Sequence, residues 1–142
     1  MPLDPARTVA ELRELRELTG DENGAQRVAW TDTWETAREW LRGKLGFAEE
    51  EIDEAGNQWF TLRGASDRAL LLGGHIDSVP NGGWLDGCLN VMAGTEVLRR
   101  IAEEVTPPLT VRLVNWADEE GVRFGRSLFG SSAAAGSMRD QD

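Results

Sequence analysis

The side chains best suited to chemistry follow two apolar runs of the chain. The only histidine, His75, comes soon after the apolar run 69–72, and Asp77 lies two residues further on. Asp86 lies in the following loop, and the acidic group 118–120 follows a second apolar run. An imidazole with several carboxylates is the donor set of a hydrolytic metal centre. The residue types therefore predict a site for divalent metal ions.

The spacing of these residues indicates which role each of them could have in a metal centre. His75 and Asp77 are two apart at the end of an extended segment, so both side chains project to one face. Such a pair is typical of a histidine ligand oriented by a neighbouring carboxylate. Glu119 and Glu120 are adjacent in a bent loop, so one could bind metal while the other takes a proton from water. Asp86 is a candidate bridge between two ions.

Each residue also has a purely structural interpretation. A lone histidine is ordinarily a surface residue or a hydrogen-bonded core residue. Asp86 would serve as a helix N-cap or turn residue, and an acidic triplet is usually a solvated loop. Asp118 is either a supporting residue or a surface one. Cys88 has no second histidine with which to form a nucleophilic pair, so we expect a small buried apolar role for it.

The first half of the chain predicts two helices and a hairpin. Leucines spaced by three residues predict a helix near 4–18, and Asp32 with Glu35 predicts the capped start of a second helix. Two extended runs, 47–54 and 58–63, flank a Gly-Asn turn and indicate a hairpin. The second helix is expected to bury Trp34, Ala37, Leu41 and Leu45.

The second half predicts a β-α-β unit. A short apolar run bounded by glycine, 69–74, is typical of a buried strand, and 109–114 predicts the next strand. Between them an apolar stripe from Val91 to Val105 predicts a long helix that ends at a Pro-Pro pair. This order favours parallel pairing, which places both acid-bearing loops after the carboxyl ends of neighbouring strands. A further helix is predicted at 127–137.

Charge and cysteine content narrow the classes of function. The 142 residues carry a formal charge of −10, from 25 acids and 15 bases, which argues against nucleic acid or an anionic membrane as partner. A single cysteine cannot form an internal disulfide and fits a reducing compartment. The sequence shows no signal-peptide pattern and no apolar run of membrane-spanning length. We therefore expect a cytoplasmic protein that neither binds nucleic acid nor enters a membrane.

Two sequence blocks resemble a known family. Residues 74–87 (GHIDSVPNGGWLDG) and 117–125 (ADEEGVRFG) resemble the metal-binding stretches of N-carbamoyl-L-amino-acid hydrolases and allantoate amidohydrolases. This group includes β-ureidopropionases of the same fold and belongs to the dinuclear zinc peptidase superfamily. Residues 53–57 are similar to its upstream hairpin, and the likeness extends over about 23–136. It implies an α/β fold, a three-layer zinc-peptidase-like catalytic domain with a mostly parallel mixed sheet.

The resemblance implies a role for each site residue. His75 would bind the first metal ion, Asp86 would bridge both ions, and Glu120 would bind the second. Asp77 would orient His75, and Glu119 would be the general base. The implied reaction is attack of a metal-bridging hydroxide on a ureido or amide carbon of a small molecule. Two divalent ions are implied, with zinc expected and manganese, cobalt or nickel as alternatives.

Members of this family are longer than the chain. By the resemblance, residues 1–142 are the N-terminal portion of the catalytic domain, without two further metal ligands and without the lid and dimerisation domain. We therefore expect the isolated chain to bind zinc weakly and to hydrolyse N-carbamoyl amino acids negligibly. The full-length form is expected to be a homodimer.

Two other functions fit parts of the sequence. One is an aminoacylase or dipeptidase of the same superfamily, but those branches usually place the bridging aspartate later. Asp86 comes only nine residues after Asp77, which favours the carbamoyl hydrolases. The other is a truncated, non-catalytic domain that binds a metal or a partner, for which the single histidine is the best support.

Overall fold

The structure is a computed structural model that describes residues 1–104 and 106–139. Its elements, in chain order, are α1 (Pro5–Thr19), β1 (Gly20–Asp21), β2 (Gly24–Ala25), α2 (Asp32–Lys44), β3 (Glu49–Ile52), β4 (Gln58–Leu62), β5 (Ala69–Gly74), α3 (Cys88–Ala102), β6 (Thr110–Asn115) and α4 (Phe129–Ala134). Among the described helices, none has both the length and the apolar character that crossing a bilayer requires.

The main sheet is mixed and has four strands in the order β3-β4-β6-β5. The pairs β3/β4 and β4/β6 are antiparallel, whereas β5 and β6 are parallel. The predicted α/β fold with a mixed sheet is confirmed, and so are the hairpin and the parallel β-α-β unit. The sheet was expected to be mostly parallel, but in the described residues one of its three strand pairs is parallel and two are antiparallel. In the β5/β6 register Gly74 is paired with Asn115, so both strands end at the same level of the sheet.

The hydrophobic core lies between helices α1, α2 and α3 and one face of the sheet. Leu12, Leu41 and Leu98 are buried there against Phe60 and Leu113 of the central strands. Alternation along the strands turns the neighbours of these two residues to the opposite face. That face is less covered within the described residues, and its arginine and tryptophan side chains remain partly exposed.

The start of α2 differs from its prediction. Thr31, not Asp32, is the N-cap: its backbone is extended and its hydroxyl accepts a hydrogen bond from the Trp34 amide at 3.3 Å. Asp32 is the first helical residue, where its negative charge interacts favourably with the positive end of the helix dipole. Glu35 uses its amide to donate to the Thr31 carbonyl. The predicted buried stripe is confirmed, because Trp34, Ala37, Leu41 and Leu45 are all fully buried.

Residues 69–74 were predicted to form a buried strand, and the prediction that this strand is buried is wrong. The strand exists, but Leu70 and Leu71 are 51% and 48% exposed. The reason is position, because β5 is the last strand of the sheet in the described part of the chain. Val105, predicted at the end of the α3 stripe, lies outside the described residues, and α4 is shorter than predicted.

The exposed edge of β5 should promote self-association of the 142-residue chain. An apolar strand with free backbone groups on one side is a template for pairing with another chain. We expect Leu71→Lys to shift the chain towards monomer in sedimentation experiments, because a charge at the edge opposes strand addition. Leu18→Lys on α1, where the leucine is 49% exposed, is the matched control and should leave association unchanged. A wild-type chain that stays monomeric at all concentrations would contradict this prediction.

A buried carboxylate joins α1 to α3. The Glu96 side chain is 5% exposed and accepts hydrogen bonds from Arg7 Nε at 2.8 Å and Arg7 Nη2 at 2.7 Å. The Asp4 amide donates at 2.9 Å and Arg99 Nη1 at 3.3 Å. The hydrogen bonds from Arg7 outweigh burial and, with those from Asp4 and Arg99, lower the pKa of Glu96 to about 2.

This cluster makes stability depend on pH in a defined window. Because the folded pKa of Glu96 lies below its ordinary value of 4.5, the stabilisation is complete above about pH 5 and is lost as the pH falls towards 2. We expect Glu96→Gln to lower the free energy of unfolding by roughly 2 kcal/mol at pH 7, after screening at the half-exposed Arg7. Urea titrations between pH 3 and pH 7 should show the deficit shrinking with acidity. Glu104→Gln, which breaks a solvent-exposed pair with Arg100, should cost little at any pH.

Candidate metal centre

The carboxyl ends of β5 and β6 bring three distant side chains together. His75 follows β5, Glu120 follows β6, and Asp86 comes from the loop before α3. One potential ligand atom from each of these three side chains lies within 4.8 Å of the other two. His75 is buried, Glu120 is half-buried and Asp86 is exposed, so the cluster opens to solvent on one side. The structure therefore unites the three residues predicted to bind metal.

The imidazole of His75 is held by its Nδ1 atom. This nitrogen is 2.9 Å from the backbone oxygen of Asp77 and 3.4 Å from Asp77 Oδ1, while Nε2 is 3.2 Å from Glu119 Oε2. Burial alone would lower the pKa of His75, but the hydrogen bonds and charge of Asp77, with the charge of Glu119, raise it to about 9. Because Asp77 holds Nδ1, Nε2 is the nitrogen left available for a metal ion.

Asp77 also ties the second loop to the first. Its carboxylate is 1% exposed and accepts hydrogen bonds from the backbone amides of Glu119, at 3.2 Å, and Glu120, at 3.1 Å. A buried carboxylate that accepts two backbone N–H groups is strongly restrained. The same residue thus contacts the imidazole of one loop and the main chain of the other.

Asp86 and Glu120 form a pair of like charges. The pKa of Glu120 is raised to about 7. Burial is the largest cause, and the hydrogen bond to Asp86 is the second largest. Two carboxylates this close avoid full ionisation unless a cation lies between them. The N-cap interpretation of Asp86 is not supported, since Gly87 is the N-cap of α3 and no side chain caps that helix. An imidazole nitrogen with two carboxylates fits zinc and related divalent ions.

Gly87 makes room for the imidazole. Its φ of 67° lies in the left-handed region that favours glycine, and a Cβ atom there would overlap Nε2 and the backbone oxygen of His75. The glycine after Asp86 is therefore required for His75 to reach the cluster.

Two buried amides support the loops and were missed by the sequence analysis. Asn115 Oδ1 accepts from the Ile76 amide at 3.0 Å, which fixes the backbone between His75 and Asp77. Asn57 Oδ1 accepts from the Ala117 amide at 2.9 Å, next to the acidic loop. Both residues are at most 1% exposed. Asn57 lies in the predicted turn, but nothing in the local sequence of either residue indicates its long-range hydrogen bond.

Asp118 and Cys88, which lie two residues from Glu120 and Asp86 in the sequence, are both buried. Asp118 is 0% exposed, which excludes its interpretation as a surface residue. Its pKa is raised, mainly by burial and secondly by the charge of Asp77. Cys88 is also 0% exposed, which confirms its buried role, and burial raises the pKa of its thiol. Its sulfur is 2.9 Å from Nη2 of Arg27, a polar contact that the sequence did not predict.

Comparison with known proteins gives consistent matches. The family model described as peptidase family M28 matches residues 57–142. The chain is 31% identical to an allantoate amidohydrolase of Bacillus subtilis over 126 residues, which are 85% of the chain and 31% of that protein. It is 42% identical to an N-carbamoyl-L-amino acid amidohydrolase of Geobacillus stearothermophilus over 89 residues, 61% of the chain and 22% of that protein.

A solved structure matches almost every residue of the chain. The hydantoinase/carbamoylase family amidase from Burkholderia ambifaria superposes with a TM-score of 0.93 and 28% identity over 99% of this chain. The match covers 36% of the amidase, so the chain spans about a third of the length of these relatives. The predicted resemblance to carbamoyl and allantoate amidohydrolases is confirmed.

Gly87→Ala should weaken zinc binding by the chain. The added methyl overlaps the imidazole, so we expect His75 to leave the cluster and the zinc dissociation constant to rise at least about tenfold. Competition with a chromophoric chelator measures this. Gly43→Ala, at the second-last residue of α2, is the control: the added methyl meets nothing within 4 Å beyond its own stretch of helix, so zinc binding should be unchanged. Equal affinities of the Gly87→Ala variant and the wild type would show that His75 is not a ligand.

Proposed function

The chain belongs to peptidase family M28, and on that premise we propose that it supplies metal-binding residues of an amidohydrolase. The proposed enzyme hydrolyses linear amide or ureido C–N bonds of a small molecule of the N-carbamoyl amino acid or allantoate type. The observation that carries this proposal is the meeting of His75, Asp86 and Glu120 within 4.8 Å at the end of a parallel strand pair. The names of the aligned relatives support the substrate class.

We propose that His75, Asp86 and Glu120 would hold the divalent ions, with Asp86 as the ligand that two ions would share. When bound, such ions polarise the scissile carbonyl and lower the pKa of water. Zinc suits this donor set best, and manganese, cobalt and nickel are also compatible with it.

Glu119 is the proposed general base. Its Oε2 atom is 3.2 Å from Nε2 of His75, so it lies beside the nitrogen left available for a metal ion. A carboxylate there can take a proton from the attacking water and deliver it to the leaving nitrogen. Asp77 is the proposed orienting residue, because its backbone oxygen and carboxylate hold Nδ1 of His75.

The chain accounts for part of the proposed enzyme. We propose that residues 1–142 form the N-terminal portion of the catalytic domain and that the complete protein acts as a homodimer. The share of its relatives that the chain spans, about a third, supports this division. Further metal ligands and the substrate-binding groups then belong to the rest of the enzyme.

The product of the complete reading frame tests the assignment of Glu119. We expect Glu119→Gln to keep the bound metal but to lower kcat by roughly 10²–10⁴-fold, because general-base catalysis is lost while the three proposed ligands remain. His75→Ala should lose both metal and turnover. Metal analysis and hydrolysis of N-carbamoyl amino acids, allantoate and N-acetyl amino acids provide the readouts. Preferred cleavage of the N-acetyl substrates would indicate an aminoacylase, and metal binding without turnover would indicate a non-catalytic domain.

The isolated chain provides a second test. We expect it to bind zinc weakly and to show negligible hydrolysis of N-carbamoyl amino acids, since three ligands shared between two ions fall short of a complete catalytic site. Calorimetric titration with zinc and an ammonia-release assay measure the two properties. Robust turnover by the purified, metal-loaded chain would refute the proposed division of the enzyme.

A further inference from the structure

A fully buried arginine lies behind the metal-binding loops. Arg27 is 0% exposed and follows β2 in the chain. Its guanidinium donates from Nε to the Ile76 carbonyl at 2.7 Å, from Nη1 to Thr19 Oγ1 at 3.1 Å and from Nη2 to Cys88 Sγ at 2.9 Å. None of these three acceptors is a carboxylate.

The acceptors belong to the segments that carry the proposed metal ligands. Ile76 lies between His75 and Asp77, and Cys88 is two residues after Asp86 at the start of α3. The main chain of Arg27 reinforces the first contact, because its amide donates to Ser78 Oγ at 2.9 Å and its carbonyl accepts from the Ser78 amide at 2.9 Å. One side chain therefore joins the loop after β5 to the first turn of α3.

The cost of burying this group argues against simple core filling. A guanidinium stays charged in proteins, and its transfer from water is expensive unless its donors are satisfied. An apolar side chain would fill the same volume without that cost. The planar fork of arginine can, however, bind acceptors from separate segments at fixed distances, which a flexible lysine or an apolar residue cannot do.

We propose that Arg27 is a positioning residue that sets the distance between His75 and Asp86 by fixing the Ile76 carbonyl relative to the start of α3. Its described hydrogen bonds go to residues next to the proposed ligands and not to the ligands themselves. The part of this inference that concerns metal affinity rests on the proposed function. The part that concerns the placement of His75 does not.

The single histidine allows the placement to be measured without metal. A ¹H–¹³C spectrum of the metal-free chain contains one imidazole Cε1–H signal, that of His75. We expect Arg27→Met to shift or broaden this signal and to raise the zinc dissociation constant at least tenfold, because the loop after β5 loses its fixed position. Arg27→Lys, which keeps the charge but replaces the planar fork by a single donor nitrogen, should restore part of both.

Arg38→Met is the matched control. Arg38 is also buried, donates to the Gly56 carbonyl at 2.6 Å and stacks on Trp34 at 4.2 Å, away from the ligand loops. This variant should lower the melting temperature yet leave the His75 signal and zinc affinity unchanged. Equal effects of Arg27→Met and Arg38→Met, or an unchanged signal in Arg27→Met, would overturn the proposal.

Two outcomes distinguish the positioning role of Arg27 from the proposed function. If Arg27→Met does not fold, Arg27→Lys decides: a folded lysine variant with the wild-type His75 signal refutes a positioning role. If the wild-type chain fails to bind zinc, the proposed function fails, whereas the metal-free His75 signal still tests Arg27.

Discussion

The parallel pairing of β5 with β6 is the constraint on which the site depends. Because the two strands run in the same direction and end in register, the loops that follow them start side by side. Antiparallel pairing of these six-residue strands would separate the two loops by roughly 20 Å. The helix between them returns the chain to the other end of the sheet, and Asp86 comes from the loop that leads into that helix. Three residues spread over 46 positions thus meet through one strand pair.

Bringing these loops together creates an electrostatic problem, since four carboxylates gather around one imidazole. The carboxylates are those of Asp77, Asp86, Glu119 and Glu120. Asp77 is stabilised by two backbone amides and by His75, and Glu119 also lies against His75. Asp86 and Glu120 have no comparable donor among the described contacts and instead share a hydrogen bond, with the pKa of Glu120 raised to about 7. Among these four carboxylates, the unbalanced charge is therefore concentrated at the two side chains that a divalent cation would neutralise.

The sequence was informative wherever a local pattern determined the structure. Short apolar runs and their boundaries located both strands of the β-α-β unit, and the order of the elements alone implied that the loops carrying His75 and Glu120 would be neighbours. Local patterns failed where a competing residue or the tertiary position decided. Thr31 and Asp32 are both good N-caps, and only the backbone conformation distinguishes them. The burial of 69–74 depends on its place in the sheet, which composition does not encode.

The roles of Arg27 and Asn115, which support the loop after β5, could not be predicted from the sequence for a related reason. Arg27 and Asn115 are ordinary polar residues until the fold places each against the backbone of Ile76, from which they are separated by 49 and 39 positions. Asn115 accepts a hydrogen bond from the Ile76 amide, and Arg27 donates one to the Ile76 carbonyl. Both backbone polar groups of this buried residue are therefore satisfied. His75 and Asp77 flank this residue, and its fixed backbone limits the directions that their side chains can take. Long-range polar contacts to one backbone residue, rather than contacts between the ligands themselves, therefore order this half of the candidate metal site.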